Sequence, residues 1–221
     1  MADFFEIDFL GVETKKSGDA IAIRYEQAGK TTIHVVDGGY TVSGESLRDL
    51  INKYYGNPSF IDRVIATHND GDHARGLVAI LDHFKVGELW MLRPWEYADE
   101  LIHQFTTYTS VAHLRGRLRS AYANLAALED IALAKGIPIY EPFQGAQIGA
   151  FRVMAPTRER YLELILTSNK TPASLVEESS TDRFLDVLVE KVKTAIALLQ
   201  AAWGGEAFPA EDTSNENEMS V

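Results

Sequence analysis

Two histidines and two aspartates fall within six residues of one another in the run Thr67-His68-Asn69-Asp70-Gly71-Asp72-His73. Side chains two apart in an extended segment point the same way, so His68 and Asp70 can converge on one point. Gly71 permits a tight turn with no Cβ to accommodate, and that turn can direct Asp72 and His73 to a second point close by. Neutral imidazole and carboxylate are ligands for hard to borderline divalent cations. Two such ions about 3.5–4 Å apart can share a hydroxide and clamp a displacement reaction from both sides. The competing reading is a plain turn, because Asn-Asp-Gly-Asp also suits a loop with helix-capping acids. A His-x-Asp-x-Asp-His run arises by chance in roughly one chain in a thousand, the false-positive risk that a short motif carries.

The flanking residues predict elements able to position such a loop. Arg63 to Ala66 reads as a short strand running directly into it. After the loop, Leu77, Ile80, Leu81 and Phe84 have helical spacing, and Glu88 to Leu92 reads as another strand. Strand, polar loop, helix, strand is a βαβ unit with its loop at the carboxyl end of a strand, where open α/β sheets place ligands. Upstream, Phe5, Ile7 and Phe9 alternate with acids as in a half-buried strand, and Asp19–Glu26 and Thr31–Val36 predict two more. Leu47, Leu50, Ile51 and Tyr54 form a helical stripe with Ser43 as its expected N-cap. Downstream, Trp95–Lys135 is predicted helical, with Leu114, Leu118, Tyr122, Leu125 and Leu128 as its stripe. Ile137–Tyr140 and Phe151–Ala155 predict strands around a turn at Gly145, Asp182–Trp203 a second long helix, and Met219–Val221 the start of a strand.

The composition sets the outer limits. The chain has 221 residues, 46% hydrophobic and 24% charged, the balance of a soluble globular protein with a substantial core. It has no cysteine, so thiolate zinc sites and disulfides are excluded and any metal must be held by nitrogen or oxygen. The net charge of −11 disfavours nucleic-acid binding by bulk charge. Part of the excess is local: Glu206, Glu211, Asp212, Glu216 and Glu218 fall in a terminal stretch without Lys or Arg. No apolar run reaches the ~18 residues of a membrane span, and the N-terminus lacks the basic segment of a signal peptide. A cytoplasmic location is the expectation.

The motif resembles the signature of the metallo-β-lactamase-fold hydrolases, His-x-His-x-Asp-His, with Asp70 in place of the second His. That variant is typical of the hydrolase domain of bacterial DNA-internalisation (competence) proteins and their free-standing relatives. Phe9-Leu10-Gly11-Val12, Gly18-Asp19-Ala20-Ile21, Val36-Asp37-Gly38-Gly39, Gly136-Ile137-Pro138-Ile139 and Val153-Met154-Ala155-Pro156 resemble further pieces of that branch in order. Arg75 stands where the branch usually has Gly. The resemblance implies an α/β fold, the αββα sandwich, in a single domain over 1–221. Residues 96–135 and 174–203 would be helical insertions. It implies two divalent ions, Zn²⁺ or Mn²⁺ with Mg²⁺ as a further candidate, since Asp70 hardens the first site. His68 and Asp70 would hold one ion, Asp72 and His73 the other, with Asp72 also in a catalytic role. A metal-bridging hydroxide would attack a phosphodiester in a nucleic acid or nucleotide. A lactone, thioester or β-lactam substrate, and a catalytically incomplete binding module, are the alternatives.

The same resemblance implies a second βα half, supplying a bridging Asp and a final His. The expectation is therefore that 1–221 is the N-terminal portion of the fold, inactive alone and dependent on further sequence or a partner chain. Asn217 would lie near the position of the third His of ordinary members. Among the remaining residues, Asp37 is expected at a strand end, either as a plain turn residue or as a hydrogen-bond support for the ligand loop, with Thr67 as a second support. Asp19 reads as a turn residue, and His34 as a surface strand residue. His83, His103 and His113 read as solvated helix residues. Arg115, Arg117 and Arg119 read as a solvated face that would suit a phosphodiester only if it lined the cleft.

Overall fold

The computed structural model describes residues 4–12, 18–105, 107–171 and 219–220. The chain opens with three strands, β1 (Phe4–Phe9), β2 (Ala20–Gln27) and β3 (Lys30–Gly38), paired antiparallel in that order. The β2–β3 turn is made by Ala28 and Gly29, both at positive φ (53° and 78°), the backbone whose twist matches that of the flanking strands. From β3 onward the pairing is parallel, which requires crossovers. Helix α1 (Thr41–Tyr54) carries the chain to β4 (Phe60–Ile65), and α2 (Gly71–Ala74) with α3 (Leu77–His83) carries it to β5 (Lys85–Trp90). A 3-10 turn (Pro94–Tyr97), α4 (Ala98–Leu101), α5 (Val111–Ala121) and α6 (Ala123–Lys135) then lead to β6 (Ile139–Tyr140). The described strands β1 to β6 form one sheet in chain order. A hairpin of β7 (Gln147–Ile148) and β8 (Phe151–Arg152) follows, and then α7 (Arg158–Thr167).

Register decides what each face of the sheet carries. Ala22, Val35, Val64 and Leu89 stand side by side across four strands and are completely buried. Leu47 and Ile51 of α1, Leu77, Ile80 and Leu81 of α3, and Leu128 and Ala132 of α6 belong to the same core. The opposite face carries the rows Ile21, Val36, Ile65, Trp90 and Ile23, His34, Arg63, Glu88. Ile148 and Val153, from the hairpin and the residue after it, pack on Ile65. The outer strand β1 leaves Phe5 and Phe9 more than half exposed there.

The expected stripe Leu114, Leu118, Tyr122, Leu125 and Leu128 is buried throughout, but it belongs to two helices that meet at Tyr122. The 95–135 region is broken further by the 3-10 turn and by the non-helical residues before Val111. Ser43 does not cap α1: the helix starts earlier, at Thr41, and its N-cap residue is Tyr40. His34 is not a surface residue. It is 1% exposed, because the β7–β8 hairpin covers that part of the sheet, and its Nε2 lies 3.2 Å from Tyr25 Oη. Helix α7 was not anticipated; Thr157 caps it, its hydroxyl accepting from Arg160 N at 3.2 Å. Met219 and Ser220 are not in a strand, and Met219 is buried. The expected 182–203 helix and Asn217 lie outside the described residues.

Both ends of the motif loop are pinned by this framework. The parallel register Val36↔Ile65 sets Asp37, one residue past β3's partner, beside the residues that leave β4. At the far end, Gly76 N donates to Gly39 O at 2.8 Å, and a Cβ on Gly76 would lie 1.9 Å from Gly38 O. Only glycine permits that approach of the start of α3 to the end of β3.

Candidate metal centre

Asp37 organises the site. It is 1% exposed and adopts a positive φ of 54°, a conformation that Asp tolerates better than most residues. Its Oδ1 accepts from Thr67 N at 2.9 Å, and its Oδ2 accepts from Thr67 Oγ1 at 2.6 Å and from His73 Nδ1 at 2.9 Å. The Thr67 hydroxyl has a single proton and donates it to this carboxylate. At the 2.9 Å contact with His68 Nδ1 it must therefore be the acceptor. His68 is thereby held as the Nδ1–H tautomer, and so is His73 through its direct bond to Asp37. In both rings the Nε2 lone pair is left free.

The two imidazoles stand together, with ring centroids 4.1 Å apart. Donor atoms of Asp37, His68 and His73 lie within 4.8 Å of one another, the one such group among the described residues. His68 Nε2 is buried and has no hydrogen-bond partner. A buried lone pair without a donor is costly, and a cation there would satisfy it. Burial, and then the charge of neighbouring His73, push the His68 pKa down, which keeps the ring neutral and able to ligate. Burial also acts to lower His73, but the hydrogen bond to Asp37 and the charges of Asp37, Asp19 and Asp72 outweigh it, and its pKa is raised. Asp19 Oδ2 is 3.7 Å from His73 Nδ1, farther than Asp37 Oδ2 at 2.9 Å.

The carboxylates of the motif are placed differently. Asp70 Oδ2 is 4.0 Å from His68 Nε2, so both face one point, as the spacing of two predicts. Its Oδ1 is taken by the Lys170 ammonium. Burial alone would raise the Asp70 pKa; that hydrogen bond and the Lys170 charge reverse the direction. Asp72 sits in α2 next to His73 and acts on it electrostatically, but its carboxylate is outside the three-residue cluster. His68 and Asp70 thus lie in the loop and Asp72 and His73 in the short helix after it, with Asp37 and Thr67 hydrogen-bonded to the histidines.

The loop is also tied to the helical region. Asn69 Oδ1 accepts the amides of Asn124 and Leu125 at 3.1 and 3.3 Å, and Asn69 O accepts from Asn124 Nδ2 at 2.6 Å. These are unsatisfied amides of the first turn of α6, so a residue of the motif serves as its cap from a distance. Arg115 donates to Trp95 O, and Arg119 pairs with Glu129 and Asp130. The rings of His83, His103 and His113 are not in the cluster; His83 bonds Asn52 instead. Lys170 and Asn69 are the site residues that sequence reasoning missed, and neither has a local signal, since their partners lie far along the chain.

Residues 15–137, more than half of the chain, match the profile of the Metallo-beta-lactamase superfamily. The chain belongs to this superfamily. Membership brings the metallo-beta-lactamase fold, the expected α/β architecture, and that fold implies divalent-metal binding; a His/Asp cluster is present in this chain. Solved structures similar to it include a metallo-beta-lactamase from Hirschia baltica, at 15% identity and TM-score 0.26, over 40% of this chain and 38% of that one. A candidate metallo-beta-lactamase from Thermotoga maritima is similar at 12% identity and TM-score 0.36, over 66% of this chain and 62% of that one. A beta-lactamase domain protein from Burkholderia ambifaria is similar at 20% identity and TM-score 0.36, over 66% and 43%. The chain thus spans less than two thirds of the length of each. No curated protein matches it. No described helix is long and apolar enough to cross a membrane.

Proposed function

We propose that this superfamily member is a metal-dependent hydrolase of phosphodiesters, with His68 and Asp70 holding one divalent ion and Asp72 and His73 a second. The observation that carries the metal assignment is the buried, unpartnered Nε2 of His68 in a tautomer fixed through Thr67 and Asp37. Bound ions would supply Lewis acidity toward water and toward the scissile group. The chain's own residues do the rest. Asp37 keeps both imidazoles in the ligating tautomer, and partial burial of the loop strengthens each electrostatic contact within it. Asp72 is the residue proposed to act in the chemistry as well as in binding.

Two carboxylates beside two imidazoles favour harder ions, Mn²⁺ or Mg²⁺ beside Zn²⁺, and such ions suit phosphoryl oxygens. The His68-x-Asp70-x-Asp72-His73 variant supports a place near the DNA-internalisation branch. The test has two arms. Elemental analysis of the chelator-stripped and reconstituted protein should show bound divalent metal, lost in a His68→Ala, Asp72→Ala double variant; unchanged metal content would overturn the ligand assignment. With the second βα half that the resemblance implies also supplied, the loaded protein should then turn over a nitrophenyl phosphodiester in preference to an acetate ester, thioester, lactone or β-lactam. Turnover of one of the latter alone would overturn the substrate assignment.

A further inference from the structure

Lys170 reaches the motif from 100 residues away in sequence, and its ammonium is hydrogen-bonded to Asp70 Oδ1. The contact is built, because the turn that carries Lys170 is anchored on both sides. Ser168 is 1% exposed, and its hydroxyl accepts from Lys170 N at 3.1 Å. Thr171 N donates to Ser168 O at 3.1 Å, and Thr171 Oγ1 lies 3.1 Å from the hydroxyl of the buried Tyr122. The ammonium therefore sits on the carboxylate whose other oxygen faces His68 Nε2 at 4.0 Å.

A lysine in that place has the charge and hydrogen-bonding capacity to stand in for a cation at Asp70. An ion that draws on this carboxylate through Oδ2 competes with the lysine for its charge, while the His68 lone pair stays free. We infer that Lys170 is an exchangeable internal counter-ion, which holds Asp70 in the metal-free chain and sets the affinity of the Asp70 side of the centre by competing with the ion. The inference rests on the metal-centre reading above and adds to it a residue that opposes binding. A lysine whose side chain is a third exposed, on a flexible four-carbon stem, can release the carboxylate without refolding the turn that carries it.

The test is calorimetric titration of Mn²⁺ alone, and separately of Zn²⁺ alone, into the chelator-stripped protein and into Lys170→Gln, Asp70→Asn and the double variant. Lys170→Gln should bind the ion about three- to tenfold more tightly, the scale of a partly exposed ion pair. In the Asp70→Asn background the same substitution should change affinity less than twofold, because the competition runs through that carboxylate. An unchanged or weaker affinity in Lys170→Gln overturns the inference. So does equal tightening with and without Asp70, which would make Lys170 a simple repelling charge. A wild-type chain that takes up neither ion overturns the metal-centre reading, and the inference with it. Thermal unfolding of each variant confirms that the affinities compare folded proteins.

Discussion

The two kinds of ligand in the motif loop are held in opposite ways. The histidines are fixed from behind: His73 by a direct bond to Asp37, His68 by the Thr67 hydroxyl that Asp37 itself orients. The aspartates have no such backing. Asp70 is held through Oδ1 by a lysine while its Oδ2 faces His68 Nε2, and Asp72 stands outside the cluster. Preorganisation is thus invested in the nitrogens, whose tautomer must be correct before any ion arrives. The carboxylates, which need no tautomer, can be left to adjust. The difference also separates two uses of a buried acid, since Asp37 spends its acceptor capacity inside the protein and Asp70 keeps one oxygen for exchange.

The comparison is tested most severely at Asp37. Asp37→Ala should cost about a hundredfold in metal affinity, the upper end for an outer-shell partner. It should also cost about 2–3 kcal/mol of stability, since Thr67 N and His73 lose a buried acceptor. Calorimetry and chemical denaturation measure the two losses; if Asp70→Asn proves more damaging to affinity than Asp37→Ala, the comparison is reversed.

His34 sharpens it as a buried histidine whose ring meets Tyr25 and Arg63, with no carboxylate bonded to it among the described residues. Its pKa is lowered to about 4, chiefly by burial and then by the Arg63 charge. The folded state therefore resists protonation more than the unfolded chain does, whose histidine titrates near 6.5. The stability associated with neutral His34 is fully present above pH 6.5 and is lost as pH falls from there toward 4, by on the order of 2–3 kcal/mol. In His34→Gln the dependence of the denaturation midpoint on pH in that window should flatten; an unaltered slope would assign it to other groups.

Thr67→Val keeps the shape and removes the hydroxyl that sets the His68 tautomer. About tenfold weaker metal binding is expected, with His73 still held by Asp37. A loss as large as that of Asp37→Ala would mean that the relay through Thr67, not the bond to His73, carries the organisation. The smallest effect is expected at Asp70. Asp70→Asn should lower affinity by a few-fold and more for Mn²⁺ than for Zn²⁺, because an ion must share the charge of this carboxylate with Lys170. Competition titration of the two ions measures the change in preference.

The His68–His73 motif, the strand that feeds it and the helix after it were legible because each is local: a spacing of two, a strand run, a helical stripe. Asp37 was legible as a strand end, and the parallel β3–β4 register that brings it to Thr67 follows from the crossover through α1. Period-2 alternation put His34 on one face of β3, but no local rule tells whether that face meets water or a hairpin over a hundred residues away. The stripe Tyr161, Leu164 and Ile165 behind Thr157 is a local signal for α7. Lys170 carried none, since a single lysine after a helix looks the same whether or not an acid waits for it across the fold.

The grip of Asn69 on the first turn of α6 has a kinetic consequence. The amides of Asn124 and Leu125 are protected by a side chain of the motif loop rather than by their own helix. Their exchange with solvent deuterium must then follow the opening of that loop, and not the fraying of α6. An ion that stiffens the loop slows these two amides while leaving the far end of the same helix unchanged. The helix start thus reports on the occupancy of a centre to which it contributes no ligand.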